Sequence, residues 1–132
     1  MTQSLQITRP DDWHVHLRDQ EVLEHTVSAT ANHFSRALVM PNLKSALTSL
    51  SSLLEYRGRI LAALNPRLDF TPYMTFYLNE SVDADELSRI KPHHPILGAK
   101  FYPAGATTHS EAGAETIRAL YPLLEVMQSN DL

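Results

Sequence analysis

The chain has 132 residues, of which 43% are hydrophobic and 20% charged, and its net charge is −4. This length suits one globular domain, and the acidic balance argues against a nucleic-acid partner. No apolar run approaches the roughly 20 residues of a membrane span, and cysteine is absent. Because the N-terminus lacks a basic segment followed by an apolar one, we expect no signal peptide. We therefore expect a cytoplasmic protein without membrane partners, in which any metal site uses His, Asp, Glu or a modified side chain.

The first half of the chain predicts two strands, each followed by a helix. The first strand ends in residues 12–17, and apolar residues at helical spacing predict a helix over 21–34. The apolar run at 37–40 stops at Pro41 and is typical of a buried parallel strand. A second helix is expected over 49–64. Its predicted inward-facing residues are Leu50, Leu53, Leu54, Ile60, Leu61 and Leu64.

The second half predicts two more such pairs. A strand is expected over 70–78, and Ser81 is expected to cap a short acidic helix over 83–90. A fourth strand over 99–102 stops at Pro103. The last helix is predicted over 114–128, with a kink at Pro122. Its predicted inward-facing residues are Ile117, Leu120, Leu124 and Met127.

Four strands alternating with four helices predict an α/β fold with a parallel sheet. Right-handed crossovers would then place a functional site at the carboxyl ends of the strands. Four such units fit a small open sheet, and they equally fit half of an eight-unit TIM-type barrel of about 250 residues. Periodicity leaves both architectures open.

His14 and His16 lie two residues apart on the first predicted strand. Side chains alternate along a strand, so both imidazoles project from one face, where they could bind a single metal ion. Arg18 has the same parity and should point toward the same site. The alternative is an ordinary strand with two partly exposed histidines, which the short motif does not exclude.

Lys100 lies inside the apolar fourth strand. A buried ammonium is costly without a partner, and one beside a metal ion would be worse. A neutral lysine amine can instead add CO₂ and become a carbamate, whose two oxygens could bridge two metal ions. The alternative is a lysine that reaches solvent at the rim or pairs with a carboxylate.

Two predicted loops carry further candidates at the same end of the sheet. Asn42 follows the second strand and could donate to a ligand carboxylate, or simply form a turn. Thr107 and Thr108 follow the fourth strand in a small polar loop, which is typical of a mobile lid and equally of a surface loop that caps a helix. Four other histidines, including His93 and His94, are assigned no role, and His109 stays a minor candidate beside this loop.

Four segments together resemble the amidohydrolase superfamily, and within it the shorter bacterial dihydroorotases. They are RPDDWHVHLRD, RALVMPNL, DFTPYMTFYL and GAKFYPAGATTHS, in the order that the family has them, and they cover nearly all of the chain. The resemblance implies that residues 1–132 form the N-terminal half of a single barrel domain, with four of the eight parallel β/α units.

The resemblance also implies an activity and a site. The reaction would be the zinc-dependent, reversible cyclisation of N-carbamoyl-L-aspartate to L-dihydroorotate in pyrimidine (UMP) biosynthesis. His14 and His16 would bind one of two zinc ions, and Lys100, as a carbamate, would bridge both. The substrate would be bound by Arg18 and Asn42, under a lid formed by Thr107 and Thr108. The family also suggests a homodimer.

The family's pattern requires residues that this sequence does not contain. Two further histidine ligands and the Asp that acts as general acid and base belong to later strands, beyond Leu132. We therefore expect these 132 residues alone to be inactive and to contain no catalytic residue. Two other hypotheses stay open: a related cyclic amidase of the hydantoinase or allantoinase kind, and a non-catalytic α/β binding domain. Arg18 and Asn42 favour an acidic substrate and so the dihydroorotase reading.

Overall fold

Four parallel strands form one sheet in the structure, a computed structural model that describes residues 3–91 and 94–132. His93 therefore lies outside the described residues. The strands are β1 (Asp12–Val15), β2 (Arg36–Val39), β3 (Thr71–Leu78) and β4 (Ile96–Phe101), and they lie side by side in chain order. All three pairings are parallel, which confirms the predicted sheet.

A helix follows every strand. These helices are α1 (Leu23–Ala31), α2 (Leu50–Ala63), α3 (Ala84–Ser88) and α4 (Tyr121–Ser129), and short 3₁₀ turns precede α1 and α4. The four β/α units of the prediction are therefore present. None of the helices in the described residues is long and apolar enough to span a membrane.

One hydrophobic core joins the helices to the sheet. The longest helix, α2, begins at a capping box in which the side chains of Ser49 and Ser52 bind each other's backbone N–H groups. Apolar side chains recur along each helix and pack against those that the strands project toward them. The buried members from the helices are Leu23, Val27, Ala31, Leu53, Tyr56, Ile60, Leu87, Leu120, Leu123 and Met127.

Several details of the predicted elements are wrong. The first strand ends at Val15, and the fourth begins three residues earlier than predicted. The cap of α3 is Asp83, whose carboxylate accepts from the N–H of Asp85, while the hydroxyl of Ser81 donates to Asn79. The predicted cap, Ser81, is therefore wrong.

The last helix also differs from the prediction. Residues 117–120 form a 3₁₀ turn, and Pro122 lies in the first turn of α4 and not in the middle of a longer helix. Proline is well tolerated there, because the first N–H groups of a helix have no partner within it. Ile117, which was predicted to face inward, is 46% exposed. On α2 the predicted inward-facing residues Leu54 and Leu61 are also exposed, whereas Tyr56 is buried.

Two of the strands contain one residue more than their neighbours. In β1, three residue steps from Asp12 to Val15 pair with two steps from Ala37 to Val39 on β2. The carboxylate of Asp12 accepts the N–H of His14 (2.9 Å) within this irregular stretch. In β4, two steps from Ile96 to Gly98 pair with a single step on β3.

The extra residue in β4 changes which side chains face the core. Ile96 is buried in the core, and beyond the irregularity Ala99 and Phe101 pack against that same core. In a regular strand Lys100 would share a face with Ile96, since the two are four residues apart. The inserted residue reverses the alternation, so Lys100 projects from the face opposite the core.

The two outer strands β1 and β4 each have a free edge in the described residues. Unpaired edges and exposed apolar side chains favour association with another chain. Trp13 on β1 is 51% exposed and Leu97 on β4 is 42% exposed. We predict that the 132 residues expressed alone self-associate or aggregate, as measured by sedimentation velocity over a range of concentrations. A compact monomer at all concentrations would contradict this prediction.

Candidate functional site

All seven residues singled out from the sequence line one pocket of about 320 Å³ at the carboxyl edge of the sheet. The strands are parallel, so their carboxyl ends and the loops that follow them meet at this edge. Phe101, Tyr102 and Pro103 complete the lining. The seven are His14, His16, Arg18, Asn42, Lys100, Thr107 and Thr108.

The imidazole rings of the two histidines lie close together and are tilted relative to each other. The ring centroids of His14 and His16 are 5.2 Å apart, with the ring planes at 48°. His14 is exposed and His16 half-buried. Burial, reinforced by the positive charges of Arg18 and His14, lowers the pKa of His16 below its ordinary value. The neutral imidazole that results is the form that binds metal ions.

Lys100 lines the same pocket from β4, the outer strand at the other end of the sheet from β1. Its Nζ lies 5.6 Å from the ring centroid of Tyr102, and neither of the two ion pairs in the described part of the chain involves it. The Lys100 side chain is half-buried on β4, an outer strand of the sheet. The lysine therefore keeps no carboxylate partner among the described residues.

The described residues supply an incomplete set of metal ligands. Over residues 3–91 and 94–132, no group of three His, Cys, Asp or Glu side chains is arranged to hold a metal ion. His14 and His16 fit two positions of a metal site. Lys100 could supply a third donor only after its amine is converted into a carbamate, which has two oxygen atoms that can bind a metal ion.

Arg18 lines the pocket and has an unusual backbone conformation. Its φ is +59°, in the left-handed region that residues other than glycine seldom adopt. The Nη1 atom is buried and has no hydrogen-bond partner among the described residues. A buried guanidinium nitrogen without a partner is costly, and a bound anion would satisfy it.

Asn42 is 3% exposed and joins three parts of the site. Its Nδ2 donates to the carbonyl of Thr108 (2.9 Å), and its Oδ1 accepts from the hydroxyl of Tyr102 (3.0 Å). Burial raises the pKa of Tyr102 to about 12, so the hydroxyl stays protonated and can donate. In this structure Asn42 thus holds the loop after β4, and the predicted contact with a ligand stays a prediction.

The loop that carries Thr107 and Thr108 is folded back on itself. The hydroxyl of Ser110 accepts the N–H of Thr107 (2.7 Å), and the carbonyl of Ser110 accepts the N–H of Gly105 (2.9 Å). From the sheet, Tyr77 donates its hydroxyl to the carbonyl of His109 (3.2 Å). Both threonines remain exposed at the mouth of the pocket.

Three tyrosines that the sequence analysis did not consider contribute to the site. Tyr102 and Tyr77 stack with ring centroids 4.9 Å apart, beneath the loop. Tyr56 of α2 donates its hydroxyl to the carbonyl of Arg18. The spacing of Tyr102 two residues after Lys100 could have indicated a shared face. No pattern in the sequence indicated Tyr56, because its contact joins residues 38 positions apart.

Curated proteins named dihydroorotase are similar to this chain over nearly its whole length. The one from Cupriavidus necator is 52% identical over 128 residues, which are 97% of this chain and 37% of the relative. The one from Nitrosococcus oceani is 46% identical over 132 residues, or 38% of its length. The chain thus spans a little over a third of the relatives that it matches. None of the protein-family models matches the chain.

Two solved structures share the fold. A crystal structure of dihydroorotase from Campylobacter jejuni superposes with a TM-score of 0.85 at 39% identity, over 94% of this chain and 36% of that one. A dihydroorotase from Saccharomyces cerevisiae in complex with 5-fluoroorotic acid gives a TM-score of 0.83 at 33% identity, over 93% of this chain and 34% of that one.

The contact between Asn42 and Thr108 generates a prediction about the loop. Replacing Asn42 with Ala should speed hydrogen–deuterium exchange at the N–H groups of Gly105 and Thr107 by about two- to tenfold, which corresponds to the loss of one neutral hydrogen bond. The matched control is Asn32→Ala, because Asn32 also donates its side-chain amide to a carbonyl, but on α1. Equal exchange in the two variants would show that Asn42 does not hold the loop.

Proposed function

We propose that the whole protein interconverts N-carbamoyl-L-aspartate and L-dihydroorotate, since this chain matches the N-terminal part of curated dihydroorotases. This reaction closes or hydrolyses a cyclic amide in pyrimidine (UMP) biosynthesis. The observation that carries the proposal is the pocket in which two imidazoles, a lysine and a buried, unpartnered guanidinium nitrogen meet. Both substrates carry a carboxylate that such a guanidinium can bind.

The barrel and its metal site are part of the same proposal. Residues 1–132 would form the first half of a single (β/α)₈ domain, whose remaining ligands and catalytic Asp come from the second half. His14 and His16 would hold one zinc ion, and Lys100, once carboxylated, would bridge it to a second. Metal ions at such a site lower the pKa of water and polarise a carbonyl. We further infer a cytoplasmic homodimer, in keeping with the family resemblance.

The donor chemistry of the pocket supports this assignment of the metal. Neutral imidazole nitrogens and carbamate oxygens are both ligands that zinc accepts. Loss of one proton from the Lys100 ammonium would give the neutral amine. Addition of CO₂ to that amine would form an N–C bond and release a second proton, which leaves an anion with two oxygens. The lysine has no carboxylate partner among the described residues, so its amine is free for this change.

Arg18 and Asn42 would bind the carboxylate of the substrate. Arg18 presents a buried nitrogen with no other partner in the part of the chain that the structure describes. Asn42 lines the same pocket, and its amide could turn from the carbonyl of Thr108 to a ligand oxygen. The yeast relative bound to 5-fluoroorotic acid, a ring carboxylic acid, supports a ligand of this class. Thr107 and Thr108 would then close over the substrate.

Replacing Arg18 with Ala in the full-length enzyme should chiefly weaken substrate binding. Loss of a charge-assisted contact costs about 1.5–3 kcal/mol, so KM for dihydroorotate should rise roughly ten- to a hundredfold with unchanged zinc content. Steady-state kinetics and metal analysis measure both. The control is Arg118→Ala, in an exposed arginine of the 3₁₀ turn before α4. Unchanged kinetics in Arg18→Ala would remove Arg18 from the site.

Lys100 should carry a carboxyl group in the zinc-loaded, full-length enzyme. Metal ions protect a carbamate that ligates them, so modification and metal binding should be coupled. We expect a ¹³C carbamate signal after incubation with labelled bicarbonate and zinc, and its loss when zinc is chelated. An active, fully metallated enzyme with a plain amine at Lys100 would contradict this assignment.

A substitution tests the same group in a second way. Lys100→Ala should lose zinc and activity together, and short carboxylic acids in excess should restore part of both by supplying oxygen ligands. Lys91→Ala is the control, since Lys91 is an exposed lysine outside the pocket. The isolated 132 residues should show no activity, because the catalytic Asp would be missing.

A further inference from the structure

The segment that leads from β1 into α1 has a strained backbone at the point where it enters the site. Arg18 and Gln20 both have φ of +59°, although neither is a glycine. Such conformations persist only where surrounding contacts impose them. The contacts that hold Arg18 and Asp19 in place come from helix α2. No residue of α2 lines the pocket that contains His14 and Lys100.

The first contact is made by Tyr56. This residue is completely buried, and its hydroxyl donates to the backbone carbonyl of Arg18. Burial raises the pKa of Tyr56, so the hydroxyl remains a donor at any physiological pH. This hydrogen bond fixes the peptide group between Arg18 and Asp19. It therefore restricts the directions in which the guanidinium of Arg18 can point.

The second contact is made by Arg59, one turn further along α2. Its Nη2 and Nε donate to the two carboxylate oxygens of Asp19 at 2.8 and 3.1 Å. Asp19 in turn accepts the N–H of Gln20 (2.9 Å). Burial raises the pKa of Asp19, but the hydrogen bonds from Arg59 and Gln20 and the charge of Arg59 together outweigh it and lower the pKa, so the carboxylate stays ionised. This bidentate pairing fixes geometry better than a single charge contact.

The two contacts form one unit. The guanidinium of Arg59 lies 5.3 Å from the ring centroid of Tyr56, so the ion pair is stacked on the tyrosine. The unit is anchored to a helix with a capping box at its start and with Leu53 and Ile60 in the core. Helix α2 therefore provides a rigid base for the segment around Arg18.

We propose that Tyr56 and Arg59 are positioning residues, which hold Arg18 in its left-handed conformation so that its guanidinium faces the substrate carboxylate. This inference rests on the proposed function, because it assumes that Arg18 binds the substrate. Neither residue touches the pocket of the histidines and Lys100, so their loss should leave the metal ions in place. The expected defect is confined to recognition of the carboxylate.

The test uses the full-length zinc enzyme with Tyr56→Phe, which keeps the ring and removes only the hydroxyl. KM for dihydroorotate and the inhibition constant of orotate should both rise about three- to tenfold, as expected for the loss of one neutral hydrogen bond. The value of kcat and the zinc content should stay unchanged. Tyr121→Phe is the matched control, because Tyr121 is 52% exposed.

A charge reversal provides an independent test if Tyr56→Phe folds poorly. Arg59→Asp should raise KM with zinc content unchanged, and the double variant Asp19→Arg/Arg59→Asp should recover part of the loss by restoring the pair. A purely structural role predicts instead that thermal stability, zinc content, kcat and KM change together.

The outcomes separate this inference from the proposed function. An unsubstituted enzyme without dihydroorotase activity would overturn the proposed function itself. An active enzyme in which Arg18→Ala raises KM, while Tyr56→Phe and Arg59→Asp leave KM unchanged, would overturn the positioning role alone. A rise in KM in both variants with intact zinc, and recovery in the double variant, would establish it.

Discussion

The direction of the side chains of β1 and β4 relative to the core is the constraint on which the site depends. Each strand contains one extra residue relative to its neighbour, and in β4 this residue reverses the alternation between Ile96 and Lys100. Lys100 consequently projects from the face opposite the core, while Ala99 and Phe101 remain packed against it. A strand paired without the extra residue would bury the lysine among apolar side chains, at a large cost in free energy.

The buried hydrogen-bond network beside this lysine joins the sheet to the loop after β4. Asn42 and Tyr77 bind two successive carbonyls of the loop, those of Thr108 and His109. At Gly113 the loop passes close to the end of β4. Only glycine fits there, because a Cβ would collide with the carbonyl of Tyr102. Closure of the loop over a ligand would therefore be coupled to the position of Asn42, because one side chain cannot donate fully to the loop and to a substrate.

The site also depends on a helix that contributes nothing to its lining. Helix α2 supports the segment around Arg18 through Tyr56 and Arg59, and the same helix packs against the core through Leu53 and Ile60. The strained backbone of Arg18 is tolerated because these contacts over-determine it. Substitutions on α2 could therefore displace Arg18 without altering the positions of His14, His16 and Lys100.

The sequence by itself determined the order of strands and helices, the parallel sheet and the residues that meet at its carboxyl edge. It could do so because apolar periodicity and the HxH, MPN and lysine motifs are local patterns. The cap of α3 and the inward positions of Leu54 and Leu61 on α2 were predicted incorrectly, since each depends on the packing of the folded chain. The tertiary structure alone decided three features. They are the extra residues in β1 and β4, the hydrogen bond from Tyr56 to Arg18, and the hydrogen bond from Asn42 to Thr108. They arise from pairing between strands and from contacts across 38 or more positions, for which a single sequence carries no periodic signal.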